Sequence, residues 1–102
     1  MKSFNETIRE MREARGLLLR EVAAKMDVDS SLLSRVENGM KRLSREQVVK
    51  LAAALNEDQE KLLVLYLSER VVYELRNEDD LAIEAITVAE QRIRYRVNGS
   101  KP

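Results

Sequence analysis

Apolar residues recur along the first half of the chain at helical spacing, and polar punctuation cuts the pattern into short segments. Phe4, Ile8 and Met11 fall on one face of a helix expected over about Phe4–Arg15. Ser3 precedes it and Glu6 follows three residues later, the spacing of a reciprocal capping box. Gly16 is a stop signal. A second helix is expected over about Leu19–Met26, burying Val22, Ala23 and Met26. A break follows at Asp27-Val28, because Asp tolerates the left-handed backbone better than most residues. A third helix is expected over about Ser30–Val36, capped by Asp29, with Leu33 and Val36 inward and Gly39 ending it. A fourth is expected over about Arg45–Leu55, capped by Ser44 with Gln47 three later, and its buried stripe is Val48, Leu51, Ala52 and Leu55.

From Asp58 the pattern changes. Leu62 to Leu67 are six consecutive apolar or aromatic residues, and Val71, Val72 and Leu75 follow, so this helix is apolar nearly all round. Asn77-Glu78-Asp79-Asp80 reads as a helix restart, with an Asn cap and acids in the first turn. A last helix is expected over about Glu78–Ile93, carrying Leu81, Ala82, Ile83, Ala85, Ile86, Val88 and Ala89. The segment Arg92-Ile93-Arg94-Tyr95-Arg96-Val97 alternates with period two and fits either a frayed helix end or a short strand. The last five residues, Asn98 to Pro102, read as a disordered tail.

Composition narrows the picture. The chain has 102 residues, 44% apolar and 35% charged, with one Pro and three Gly, a balance suited to helices with wet outer faces. Aromatics are only 4%, so the core must come from Leu, Val, Ile, Ala and Met. There is no Cys and no His, which removes disulfides, thiolate nucleophiles, Cys/His zinc sites and imidazole chemistry. No Gly-rich phosphate loop or Ser-centred elbow is present, and the pair Asp79-Asp80 is accounted for by its place at a helix start. An enzyme, a metal and a cofactor are therefore not expected. The acidic start lacks an apolar signal core, and the Leu62–Leu67 run is far short of the roughly 20 residues a membrane span takes. A cytoplasmic location is the expectation.

Net charge is zero, but it is unevenly divided. Residues 1–50 hold 11 Lys/Arg against 8 Asp/Glu, a balance of +3, and residues 51–102 hold 7 against 10, a balance of −3. Only the first half suits an approach to phosphates. Within it, Leu19 to Asn38 has the order short helix, tight turn, second helix, with small Ala23 where two helices would cross closely. A helix-turn-helix needs this pattern, the second helix entering the major groove of DNA. Ser30, Ser31 and Ser34 leave room there and can hydrogen-bond base edges or act as solvated caps. Arg35 is placed to reach a guanine edge, the bland alternative being a pairing with Glu37 or a solvent-facing neighbour.

The chain resembles the lambda-repressor-like, or XRE, family. The residues that carry the resemblance are Ile8 to Arg12, Arg15-Gly16-Leu17, Glu21-Val22-Ala23, Ser34 to Gly39 and Val48 to Leu55, so that it covers roughly residues 4–67. It implies an all-α fold with a five-helix lambda-repressor-like DNA-binding domain over residues 1–67; the apolar helices beyond it read as a C-terminal helical dimerisation extension over 68–97, followed by the tail over 98–102. It implies base contacts from Ser30, Ser31, Ser34 and Arg35. The loop from Asn38 to Arg42 would lie along a phosphate strand, and the expected phosphate contacts are Asn38, Lys41, Arg42 and Arg20. Arg12 and Glu37 match a pair bridging helices 1 and 3. Three departures from the family pattern stand out. Leu18-Leu19 stand where a Ser or Thr cap and a Gln are usual, Asp27 stands in place of a turn Gly, and Leu43 replaces a common Pro.

Five helices of about 65 residues cover one face of an all-apolar fifth helix and not all sides, so a dimer interface is expected at Leu63, Tyr66, Leu67, Val71, Leu81 and Ile86. Residues 57–84, with nine acids and three bases, suit a surface turned away from DNA. Arg92, Arg94, Arg96 and Lys101 fit either a second basic contact or cations at a helix C-terminus. The expected function is a dimeric, sequence-specific transcriptional regulator, a repressor or autoregulator at a palindromic operator in double-stranded DNA. The alternatives are an antitoxin with a protein partner, a controller of a restriction-modification locus, and a helical adaptor without DNA binding.

Overall fold

The computed structural model describes residues 1–99. Six helices and no strand are found among them: α1 Phe4–Ala14, α2 Leu19–Met26, α3 Ser30–Glu37, α4 Arg45–Leu55, α5 Gln59–Glu74 and α6 Ala82–Val97. The chain divides into two compact units, one ending at Arg70 within α5 and the other beginning at Val71.

In the first unit the helix starts are set by local chemistry. Ser3 and Ser44 both form reciprocal capping boxes, with Glu6 and Gln47 respectively, which satisfies backbone N–H groups that the first turn leaves free. Leu18 has no side chain able to cap, yet half a box survives at α2: its backbone N–H donates to Glu21 Oε1 at 2.8 Å. The Asp58 carboxylate accepts from the backbone N–H groups of Glu60 and Lys61, at 2.9 and 3.3 Å, and starts α5.

The first four helices end alike. Gly16, Asp27, Gly39 and Asn56 all take positive φ. After each of them the next N–H folds back onto the last turn: Leu17 to the Arg12 carbonyl, Val28 to Ala23, Met40 to Arg35 and Glu57 to Ala52, at 2.8–3.1 Å. This left-handed closure lets four helices reverse direction within a few residues. Asp27 adopts φ 59° and ψ 46°, so the glycine that the family favours there is replaced by a residue that bears the same backbone at some cost.

The core of this unit is one apolar cluster. Phe4 and Ile8 of α1 meet Val22, Ala23 and Met26 of α2, Leu33 and Val36 of α3, Val48, Leu51, Ala52, Ala54 and Leu55 of α4, and Leu62 and Leu63 of α5. Ala23 is buried where α2 meets α3 and α4, so a larger side chain would push these helices apart. Leu43 is also buried, so the residue in place of the family's proline anchors the α3–α4 loop to the core. The Phe4 ring packs edge-on against Tyr66, with centroids 5.9 Å apart, and the Phe4 N–H donates to Glu69 Oε1 at 3.0 Å, which fastens α5 to the start of α1.

Two expectations about local structure are corrected. Asp29 occupies the N-cap position of α3 with extended backbone, but its side chain makes no capping bond; the exposed carboxylate stays in water. The last helix does not begin at Glu78. Residues 77–81 form turns, with Leu81 N–H to the Glu78 carbonyl at 2.9 Å, and α6 starts at Ala82. Consecutive Glu78, Asp79 and Asp80 repel one another, and Asp and Asn are weak helix formers. Residues 92–97 belong to α6, which settles their two open readings in favour of helix. Arg94 and Arg96 lie in its last turn, where cations suit the helix dipole, and Arg94 pairs with Glu90 one turn back at 2.8 Å. Asn98 is its C-cap. Of the expected tail, Ser100, Lys101 and Pro102 lie outside the described residues.

Candidate nucleic-acid interface

The turn between α2 and α3 occupies only Asp27, Val28 and Asp29, so the second helix leaves the first at a fixed angle over the shared core. Helical geometry then sorts the residues of α3. Leu33, Val36 and Glu37 are buried, while Ser30, Ser31 and Arg35 are exposed and Ser34 is half-buried. At 100° per residue, positions 30, 31, 34 and 35 share an arc distinct from that of 33, 36 and 37. The four residues expected to read bases thus lie together on one outward side of α3.

A polar frame holds that helix from behind. Arg12 of α1 reaches Glu37 with two parallel hydrogen bonds, Nε to Oε2 at 2.8 Å and Nη2 to Oε1 at 2.9 Å. A third nitrogen, Nη1, donates to the Leu17 carbonyl at 2.9 Å. The pair is largely out of water, with side-chain exposures of 12% for Arg12 and 5% for Glu37. Hydrogen bonding to Glu37 raises the Arg12 pKa above its ordinary value despite burial, so the guanidinium keeps its charge. Asn5 adds a second strut: its side-chain amide donates to the Glu37 carbonyl at 3.2 Å. Gly39 lies against the same amide, where a Cβ would come within 3.4 Å. Asn5, Glu21 and Glu69 are positioning groups whose roles no motif in the sequence announces. Only Glu21 has a local signal, its place three residues after Leu18, the N-cap of α2.

This frame also bears on Arg35. Both carboxylate oxygens of Glu37 are occupied by Arg12, and Arg35 forms no ion pair among the described residues. Its guanidinium remains exposed on α3.

Beyond α3, Asn38 caps the helix and the loop carries Lys41 and Arg42, all three exposed. Arg45, exposed on the first turn of α4, extends the same basic segment. Arg20 is exposed near the start of α2. The loop side of this surface is therefore cationic, exposed Asp27 and Asp29 keep the α2–α3 turn acidic, and Ser30, Ser31 and Ser34 supply small hydrogen-bonding groups on α3.

The residues expected at a dimer interface separate by burial. Leu63 is 8% exposed and belongs to the core of its own chain, and Tyr66 is half-buried against Phe4. Leu67, Val71, Leu81 and Ile86 are exposed, at 42–58%. No cluster of acidic side chains that could hold a metal ion occurs among the described residues, and no described helix is long and apolar enough to cross a membrane.

Comparison with known proteins agrees with this geometry. The model of the helix-turn-helix family HTH_3 matches residues 8–59. Among solved structures, the chain is similar to the restriction-modification controller protein C.AhdI from Aeromonas hydrophila. The two are 34% identical, with a TM-score of 0.55 over 58% of this chain and 89% of that one. No curated protein matches the chain. The matched segment contains α2, the tight turn, α3 and the Arg12–Glu37 frame that holds them. The chain belongs to the HTH_3, XRE-type helix-turn-helix family of DNA-binding regulators.

Proposed function

We propose that this protein is a sequence-specific transcriptional regulator that acts as a homodimer on a palindromic operator, as a repressor or autoregulator, with α3 in the major groove. One observation carries the reading: Arg35 is exposed beside three serines on α3, while the nearby acid Glu37 is already held by Arg12. A free guanidinium among small side chains suits the paired acceptors of guanine, a contact worth about 1–3 kcal/mol of discrimination. Ser30, Ser31 and Ser34 complete the base-reading set. Asn38, Lys41, Arg42 and Arg20 contact phosphates, which fixes register without reading sequence. A dimer would set two such helices about one turn of DNA apart, and exposed Leu67, Val71, Leu81 and Ile86 are its candidate interface.

A second reading, controller of a restriction-modification locus, is favoured by the 34% identity to C.AhdI. It has the same interface and differs only in the operator's genomic setting.

The test is selection of bound sequences from a random duplex pool, followed by salt titration of the selected site. The expected product is an inverted repeat, with binding that weakens steeply as salt rises. Arg35→Ala should relax preference at one position per half-site. Lys41→Ala should weaken all sequences alike and lower the salt slope by about 1 for each phosphate that is no longer neutralised. If no sequence is enriched, or if both variants behave identically, the assignment of these residues is wrong.

A further inference from the structure

Helix α6 lies beyond the matched family segment, which ends at residue 59. None of its 16 residues is buried. Leu81 at its start and Val88 and Ile93 within it lie on one side and are 50–58% exposed, an apolar stripe with nothing packed on it among the described residues. A shallow groove runs along one side of it, from Leu81 and Glu84 at one end, past Val88, to Arg92 and Arg96 at the other. These positions recur at three- and four-residue steps, the seam of a helix that packs lengthwise on another. Ala85 and Ala89, on the same seam, permit close approach at its middle.

Charge along this seam identifies the occupant. Residues 78–90 hold five acids and no base, and residues 91–97 hold three arginines and no acid. Glu90 and Arg94 satisfy each other within the helix. Glu84 at one end of the groove, and Arg92 and Arg96 at the other, form no ion pair among the described residues. A parallel copy of α6 would set Glu84 against Glu84 and Arg92 against Arg92. An antiparallel copy would set Glu84 of each chain against Arg92 and Arg96 of the other, on both sides of a centre at Val88 and Ala89. The helix is complementary to itself in that direction alone.

We propose that α6 is a self-recognition helix that pairs antiparallel with α6 of a second copy, crossing at Val88–Ala89, with the Glu84–Arg92/Arg96 contacts setting direction. This rests on the homodimer reading above and assigns its specificity to a segment outside the helix-turn-helix domain.

The chain has no cysteine, so single cysteines report the pairing in the full-length protein. Val88→Cys should form a disulfide-linked dimer under mild oxidation, because its two copies meet at the centre. Leu81→Cys should not, because the two copies would lie about 22 Å apart along the axis at about 1.5 Å per residue. Mixing Leu81→Cys with Arg96→Cys chains should yield a crossed dimer. Glu84→Lys should raise the dimer dissociation constant about tenfold by sedimentation, as two symmetry-related contacts turn repulsive. Adding Arg92→Glu and Arg96→Glu to the same chain should restore association.

A dimer that cross-links as well at Leu81 as at Val88, or ignores the Glu84 reversal, overturns the antiparallel helix and leaves dimerisation intact. A chain that stays monomeric at tens of micromolar overturns both. If Arg92→Glu and Arg96→Glu leave the dimer unchanged but weaken DNA binding, the arginines serve DNA and the proposal fails.

Discussion

Truncating Arg12 to alanine should destabilise the first unit by about 3 kcal/mol, although Arg12 lies outside the proposed reading surface. The substitution removes two charge-assisted bonds to Glu37 and one to the Leu17 carbonyl, at 2.8–2.9 Å. It leaves a carboxylate at 5% exposure with no cation beside it. Breaking a buried pair from one side costs about 3–5 kcal/mol, and the lower end applies because Arg12, at 12% exposure, vacates a space that water can reach. With a urea slope of about 1–2 kcal/mol/M, the midpoint should fall by about 1.5–3 M. Helical circular dichroism at fixed protomer concentration reads this, since association would otherwise move the midpoint. Glu37→Met should cost a similar amount. Replacing both residues by methionine should recover most of the loss, because no unpaired charge then remains. Two results would refute the reasoning: a shift below about 0.5 M for Arg12→Ala, or a double variant whose loss equals the sum of the singles, which would mean the two side chains are not coupled.

The left-handed turn offers a second test. Asp27→Gly should leave stability unchanged or raise it by up to about 1 kcal/mol in thermal unfolding, whereas Asp27→Val should lower it by about 1–2 kcal/mol, since a β-branched residue resists φ near 59°. Leu55→Ala, at a fully buried position, should cost about 2–5 kcal/mol in the same assay. At the N-terminus, the Ser3 hydroxyl and backbone hold the Glu6 carboxyl below its ordinary pKa of 4.5. Its contribution is then present above that value and is lost as pH falls through the lower folded one, so Glu6→Gln should lower stability slightly in the neutral region and flatten the acid limb of a stability–pH profile below about 4.5, where the two proteins converge. Replacing Ser44, whose hydroxyl accepts from the Gln47 N–H at 3.2 Å, with alanine should cost about 1 kcal/mol in urea.

Most of the first unit was legible along the chain because its determinants are local. Caps at Ser3 and Ser44, stops at Gly16 and Gly39, the turn at Asp27 and stripes such as Val48-Leu51-Ala52-Leu55 act within one or two turns, so their spacing places α2 and α4 to the residue. The outward side of α3 was legible for the same reason, since burying Leu33 and Val36 dictates where Ser30, Ser31 and Arg35 point. Apart from the Arg12–Glu37 pair, which the family resemblance supplied, contacts between distant residues waited for tertiary structure. Asn5 meets the Glu37 carbonyl across 32 positions, and Glu69 meets the Phe4 N–H across 65. A run as uniformly apolar as Leu62–Leu67 does not say which of its sides faces inward. Packing decided it, taking Leu62 and Leu63 into the core and leaving Val64 and Leu67 in water. The start of α6 differed for a local reason instead, because acids that suit a helix N-terminus singly repel one another when three stand together. Sequence alone thus determined the segments and their inner sides, which depend on neighbours three or four residues away. The fold decided which segments brace the reading helix, because those contacts exist only once the chain has closed on itself.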